Sequence, residues 1–283
     1  MELLQKFFLS ICLIFFGSCA TDTSNLTDTE RAALSKKVYD DGSHLYQGSP
    51  KSMTRIAYAI EIDSGNCEAQ RELSVAYLKR GMPFEWEPQM NKAVACDPAI
   101  WQPYRGYNYL WFYRDYKKAI ADFNASDTLT PNFIDAPQGH SVDYWRGIAY
   151  LGLKDYKNSI DYFDRYINQE TLDYGEDWAE PTAFLFRGIA YLENEDTENA
   201  IVDFDKFDLY SKGRTSDANY YKALIFKQRG DCVTAKKFIE AAIANFDAGY
   251  FNSRAYVETL HQIYRKDLTA LKMEIDTCQN EPS

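Results

Sequence analysis

From about residue 35 to residue 250 the apolar positions fall into two-part units, and three of the units carry nearly the same word. It reads Tyr104-Arg105-Gly106-Tyr107-Asn108-Tyr109-Leu110, then Trp145-Arg146-Gly147-Ile148-Ala149-Tyr150-Leu151, then Phe186-Arg187-Gly188-Ile189-Ala190-Tyr191-Leu192. Gly106, Gly147 and Gly188 stand 41 residues apart. Self-similarity at a period of tens of residues predicts stacked helical hairpins, because each unit exposes an apolar flank that only its neighbour can cover. Beyond the last unit, Tyr256, Leu260, Ile263, Leu268, Leu271 and Ile275 predict an amphipathic helix. Arg265, Lys266, Lys272 and Glu274 fall on its other side, so this helix should cap the open end of the array.

The offsets inside each unit carry the packing logic. Gly106 is expected to face Ala119, with Tyr116, Phe123 and Pro131 following. Gly147 pairs with Ser159, beside Tyr150, Tyr156 and Phe163, and Gly188 with Ala200, beside Tyr191 and Phe204. A sixth unit sets Ala223 against Ala235 with Phe226, Gly230 and Ile239. An earlier one runs Leu73, Tyr77, Gly81, Met90, Ala93 and Pro98, with bulky Trp86 where a small residue is expected. The first unit, around Ser35 to Asp63, keeps mainly Ile56, Ala59 and Ile60. Small residues let two helices approach closely, and proline cannot continue a helix, so Pro98 and Pro131 mark the next turn. This pattern resembles the tetratricopeptide repeat (TPR), a hairpin of about 34 residues. The resemblance implies an all-α fold, a right-handed α-solenoid of about six TPR-like hairpins with a C-terminal capping helix, spanning 31–283.

The N-terminal segment reads differently. Lys6 precedes an apolar run from Phe7 to Phe16, too short for a membrane-spanning helix, which needs about 20 residues. Phe16-Gly17-Ser18-Cys19 follows and resembles a bacterial lipobox, although Phe16 stands where leucine is usual. That resemblance implies a signal peptide over 1–18, lipidation at Cys19 and firm attachment by several acyl chains. Ala20, in place of an aspartate, points by the same resemblance to the outer membrane. Residues 19–30 are polar and should form a flexible tether of roughly 20 Å reach.

Charge narrows the partners. The 283-residue chain carries a net charge of −11 and no basic cluster, which argues against nucleic acid and anionic lipid surfaces. The membrane contact is therefore expected through the N-terminal lipid only. No phosphate loop, triad spacing or metal pattern occurs, so neither enzyme chemistry nor a cofactor is expected. Arg105, Arg146 and Arg187 recur where the repeat pattern prefers leucine. Asp122, Asp161 or Asp164, and Asp203 recur on the second helices, so each arginine is expected to form a semi-buried ion pair inside its own hairpin or with its neighbour, rather than to line up as a cationic ladder for an acidic ligand.

Cys67 should open the first helix of a hairpin and Cys96 close the second, which brings them to one edge. Cys232 should begin the second helix of the sixth unit, near the end of the capping helix at Cys278. Four cysteines allow three pairings, and free buried thiols are an alternative. In an oxidising compartment 67–96 and 232–278 are the expected disulfides.

Two units exceed the repeat length by about seven residues, as inserts at 130–141 and 170–181. Inserts of this kind lie on one edge and often form a binding face. Phe133, His140, Tyr174, Asp177 and Trp178 on the inserts, and Asp143 and Tyr144 on a first helix, are the candidate binding residues. An alternative is that the inserts merely lengthen or cover the preceding helix. The concave groove, with Asn108, Tyr109, Asp143 and Tyr144, is the other candidate. These readings converge on a membrane-tethered, non-catalytic adaptor of the bacterial cell envelope that binds a protein or peptide. A binder of a small molecule or glycan, using the tyrosine and tryptophan rings as platforms, is the rival.

Overall fold

The computed structural model describes residues 23–278. The signal-peptide reading and Cys19 lie outside the described residues, as does the start of the tether. Twelve helices pair into six consecutive hairpins. These are α1 (Asp28–Ser43) with α2 (Pro50–Ile62), α3 (Cys67–Lys79) with α4 (Pro83–Cys96), and α5 (Pro98–Asn108) with α6 (Tyr116–Leu129). Then come α7 (Val142–Gly152) with α8 (Tyr156–Asp173), α9 (Pro181–Glu193) with α10 (Thr197–Tyr210), and α11 (Ser216–Gln228) with α12 (Cys232–Asp247). A last helix, α13 (Arg265–Cys278), packs on α12 and α11. Among the described residues no strand occurs. The fold is a TPR-type α-solenoid with a capping helix.

The helix crossings explain the repeated word. A Cβ added to Gly106 would stand 2.8 Å from a ring carbon of Phe123, and at Gly147 and Gly188 the distances to Phe163 and Phe204 are 2.9 and 2.7 Å. Real Cβ atoms do not come that close, so glycine here makes room for a phenylalanine wedged between the two helices. The small residue predicted opposite also sits close, since the Ser159 hydroxyl donates to the Gly147 carbonyl at 2.8 Å. Within four hairpins the turn repeats as well. Arg114, Lys154, Glu195 and Gly230 adopt positive φ. Asp115, Asp155, Asp196 and Asp231 then cap the second helix by accepting a backbone N–H three residues on.

Hairpin three departs by one residue. Thirteen positions separate Gly106 from Ala119, whereas twelve separate Gly147 from Ser159 and Gly188 from Ala200. The extra residue is absorbed as a π-helical turn at Tyr109–Tyr113 continuing α5. Trp86, the bulky residue in a small position, is buried edge-on against Tyr109 at 5.2 Å and tilted on Tyr113 at 4.5 Å.

Other expectations need correction. The first hairpin begins at Asp28, inside the stretch read as tether, because Thr27 and Glu30 close a capping box there. The C-terminal helix begins at Arg265 rather than near Tyr256. Tyr256 and His261 have φ of 71° and 54°, which no helix tolerates, and the Asp267 carboxylate caps the start by accepting the Tyr264 N–H at 2.8 Å. All three arginines form the expected semi-buried ion pairs, two of them with the acids named. Arg105 grips Asp122 with two bonds of 2.8 and 2.6 Å, and Arg187 grips Asp203 with two of 2.7 Å while reaching Asp164 at 2.6 Å. Arg146 touches neither Asp161 nor Asp164. Tyr162 fills the position of the missing acid, so Arg146 stacks over that ring at 5.3 Å and pairs instead with Asp143 and Asp127, both at 2.5 Å.

Cys67 at the start of α3 and Cys96 at the end of α4 form a disulfide with Cα atoms 5.5 Å apart. Cys232 and Cys278, at the start of α12 and the end of α13, form a second, with Cα atoms 6.2 Å apart. Both separations lie within the ordinary range for a disulfide.

Candidate functional site

The two inserts lie side by side, and a pocket of about 550 Å³ opens between them. Its first wall is the 130–141 loop. There Asp135 accepts the Thr130 hydroxyl at 2.5 Å and also that of Ser126, while its carbonyl receives the Val142 N–H at 2.8 Å. The Pro137 carbonyl accepts the Trp145 indole N–H at 2.9 Å, and His140 rests on Tyr144 and Trp145, with ring centroids 5.0 and 5.2 Å away. These bonds fix the loop to α7, so the wall is held by the array's own core.

The second wall arises differently. The surplus at 170–181 partly lengthens α8, which runs on to Asp173, and then turns at Gly175 into a single 3₁₀ turn at Glu176–Trp178. Glu176 anchors that turn to α10 by accepting from Lys206 and Tyr210, each at 2.6 Å. The Tyr166 hydroxyl accepts the Glu180 N–H at 2.9 Å and closes the loop onto α8.

Of the seven predicted residues, the pocket is lined by Phe133, His140, Asp143, Tyr174 and Trp178. The rings of Phe133, Tyr174 and Trp178 are 68%, 65% and 68% exposed, with Tyr174 and Trp178 tilted against each other at 5.8 Å. The other two lie elsewhere. Tyr144 is only 3% exposed, its hydroxyl shared with Thr182 at 2.6 Å, and so supports the wall from beneath. Asp177 is exposed outside the lining. Tyr166, Gln169, Glu170 and Asp173 also line the pocket; the last two fall within the 170–181 insert, but none of the four was named as a binding residue. Their spacing puts them on one helical face, which becomes visible once the insert is read as an extension of α8.

The electrostatics follow from burial. Glu170 is half-buried, and burial first, then the negative charge of Asp173, pushes its carboxyl above the usual range. Burial holds the His140 imidazole below its usual range, so at neutral pH that ring carries no charge. Among the described residues no group of three or more His, Cys, Asp and Glu side chains is placed to hold a metal ion. Among the same residues no helix is long and apolar enough to cross a membrane.

The other candidate face is partly covered. Residues 250–264, irregular and joining α12 to α13, run over the first helices of the hairpins. The Ser216 N–H donates to the Tyr250 carbonyl, and the Asn252 N–H to the Asp217 carboxylate, both at 2.8 Å. The Arg254 guanidinium lies 4.1 Å over Trp111, and 5.7 and 5.9 Å from the rings of Tyr107 and Trp145. Lys79 sits 4.9 Å over the Tyr256 ring, and Arg114 donates to the Glu258 carbonyl at 3.2 Å. Of the groove residues named from the sequence, Asn108 is buried at the edge of a recess of about 400 Å³ left beside Arg254 and Tyr256, Tyr109 turns its hydroxyl to Glu87 on α4 at 2.6 Å, and Asp143 lines the edge pocket instead.

No protein-family model matches this sequence, and no curated protein does either. Solved structures do. PilW, a type IV pilus biogenesis factor, superposes with a TM-score of 0.60 at 15% identity, over 85% of this chain and 96% of that one. The pilF protein of Pseudomonas aeruginosa gives 0.56 at 18% identity, over 77% of this chain and 99% of its own. A tetratricopeptide repeat protein from Parabacteroides merdae gives 0.50 at 13% identity, over 88% and 84%. At such identities the likeness is one of fold: an array of TPR hairpins over most of the chain.

Proposed function

We propose that this chain is a non-catalytic protein-interaction adaptor of the bacterial cell envelope, tethered by lipid on Cys19, and that it docks a protein or peptide in the pocket between its two long loops. The observation that carries the choice of face is the segment 250–264. It fills much of the groove and leaves a recess of about 400 Å³ there, whereas the edge pocket, about 550 Å³, has three aromatic residues about two-thirds exposed. Exposed aromatic anchors around a recess are what protein interfaces use. Two disulfides fit an oxidising compartment. Fold-level likeness to PilW and pilF supports an envelope role by analogy only.

A photoreactive amino acid at Phe133 or Trp178, irradiated in intact cells, should give one shared covalent adduct. The same residue at Val202, exposed on α10, should give none. Adducts arising only from the groove, at Tyr256, would refute the edge reading. Labelled palmitate should enter the wild-type chain and not Cys19→Ala. A volume near 550 Å³ also suits a small ligand such as a glycan. A sugar array scoring positive, with loss in Trp178→Ala and no protein adduct, would establish that reading instead.

A further inference from the structure

We infer that the edge pocket receives a cationic side chain, a lysine or arginine on an extended basic peptide, from the partner. This rests on the pocket being the docking site proposed above. Four carboxylates line it, from Asp143, Glu170, Asp173 and Glu180, and among the described residues no lysine or arginine does. Each carboxylate keeps capacity to accept more. Asp143 is held by the buried Arg146, Asp173 accepts one bond from Gln169 at 2.7 Å, and Glu180 one from Thr182 at 3.1 Å. Glu170 faces a neighbouring negative charge rather than a cation. His140, uncharged at neutral pH, adds no opposing charge. Only one of the four acids is paired with a cation, and a partly desolvated site lined by three further acids is complementary to a positive group.

The walls add a second attraction. Phe133, Tyr174 and Trp178 offer exposed ring faces, and a guanidinium or ammonium over such a face is attracted by its quadrupole. The same molecule shows this chemistry at work. In the groove, Arg254 is held among Trp111, Tyr107 and Trp145. The edge pocket has comparable rings, carboxylates besides, and no arginine of its own chain within it. The overall charge of −11 would draw a basic partner toward this edge. It also disfavours anionic lipid as the occupant of the exposed rings.

The probe is a fluorescein-labelled peptide, acetyl-Gly-Arg-Gly-Arg-Gly-amide, followed by anisotropy against the full folded chain. Its comparison is the same peptide with citrulline for arginine, which keeps shape and removes charge. The arginine peptide should bind saturably, and the citrulline peptide roughly ten-fold more weakly. The double variant Glu170→Gln/Asp173→Asn should also weaken the arginine peptide roughly ten-fold, with binding lost further at high salt. Glu240→Gln, on the exposed face of α12, should leave it unchanged. All three substituted sites are at least partly exposed, and far-UV circular dichroism verifies that each variant is folded. Equal binding of the two peptides, or indifference to the double variant, would overturn the inference. So would Trp178-dependent binding to phosphatidylcholine vesicles in place of the peptide. If crosslinking at Trp178 captures a partner while the arginine peptide fails, the cationic class falls and the docking site stands.

Discussion

Asp217 offers a direct measurement of what the groove segment costs and contributes. This carboxylate is 1% exposed in the first turn of α11, and it accepts the Asn252 N–H that starts the segment across the groove. An aspartate carboxyl ordinarily titrates near 3.8. Burial pushes Asp217 up to about 6, against which the hydrogen bonds from the Asn252 and Asp217 backbones pull only partly. Between those two pH values the folded chain keeps a proton that the unfolded chain has released. Stability therefore falls as pH rises through that window, by roughly 3 kcal/mol at about 1.4 kcal/mol per pH unit. Below the window both states are protonated and the contribution is intact, and above it the loss is complete.

The variant Asp217→Asn cannot ionise, yet its amide oxygen can still accept from Asn252. Its stability relative to wild type should thus rise by roughly 2 kcal/mol between pH 4 and pH 7. Taking the difference between two proteins cancels the other titrating groups. The assay is urea unfolding at a series of pH values, with the disulfides intact and tryptophan emission as readout. Hydrogen exchange at the Asn252 amide adds a local reading, since repeat arrays can open in parts. Two stability profiles that run parallel across the window would refute the reasoning.

Three further outcomes follow from named contacts. Arg187→Leu strands the buried Asp203 and should cost about 3–5 kcal/mol, with Arg187→Leu/Asp203→Leu recovering much of it in thermal unfolding. A stable Arg187→Leu that loses its partner would instead revive the cationic ladder. Replacing Cys67 and Cys96 by alanine frees a loop whose ends are 29 residues apart, and should lower stability by about 3–4 kcal/mol in denaturant titration. Arg254→Ala removes the cation from three rings, should cost about 1–2 kcal/mol, and should speed amide exchange over 250–264 but not over α9.

The repeats are legible because a helix crossing with a phenylalanine wedged into it admits only glycine on the facing helix, so Gly106, Gly147 and Gly188 announce the hairpins directly. The disulfides are legible for a related reason, as Cys67 and Cys96 mark the ends of two antiparallel helices. Other features need tertiary knowledge. The π turn shows in the sequence as one extra residue between Gly106 and Ala119, but nothing local says whether a helix or a loop absorbs it. Arg146 goes elsewhere because a single tyrosine replaces an acid on α8. Leu260, Ile263 and Leu268 satisfy a helical spacing, yet the stretch before Arg265 is not helical. Its apolar side chains pack while its backbone bonds to α11, and those contacts outweigh local periodicity. At the pocket, the ring-bearing loop residues stand out in the sequence. The acids of α8 do not, because the helix runs further than the repeat length suggests.

The groove segment and the edge pocket are mechanically linked. In a repeat array each hairpin touches only its neighbours, so small changes between units add up and the curvature is soft. Here residues 250–264 break that rule. They tie α11, through Asp217, to Arg254 on the rings of α5 and α7, and to Tyr256 under Lys79 of α3. A chain bonded at both ends of the groove resists bending of the units between, and those units are the ones that carry the two long loops. Their walls are fixed in turn, one to α7 through Trp145 and the other to α10 through Glu176. The groove segment thus takes up much of one face and holds the pocket of the proposed docking edge in a set shape. A pocket held in that way pays less entropy on binding than one built from free loops.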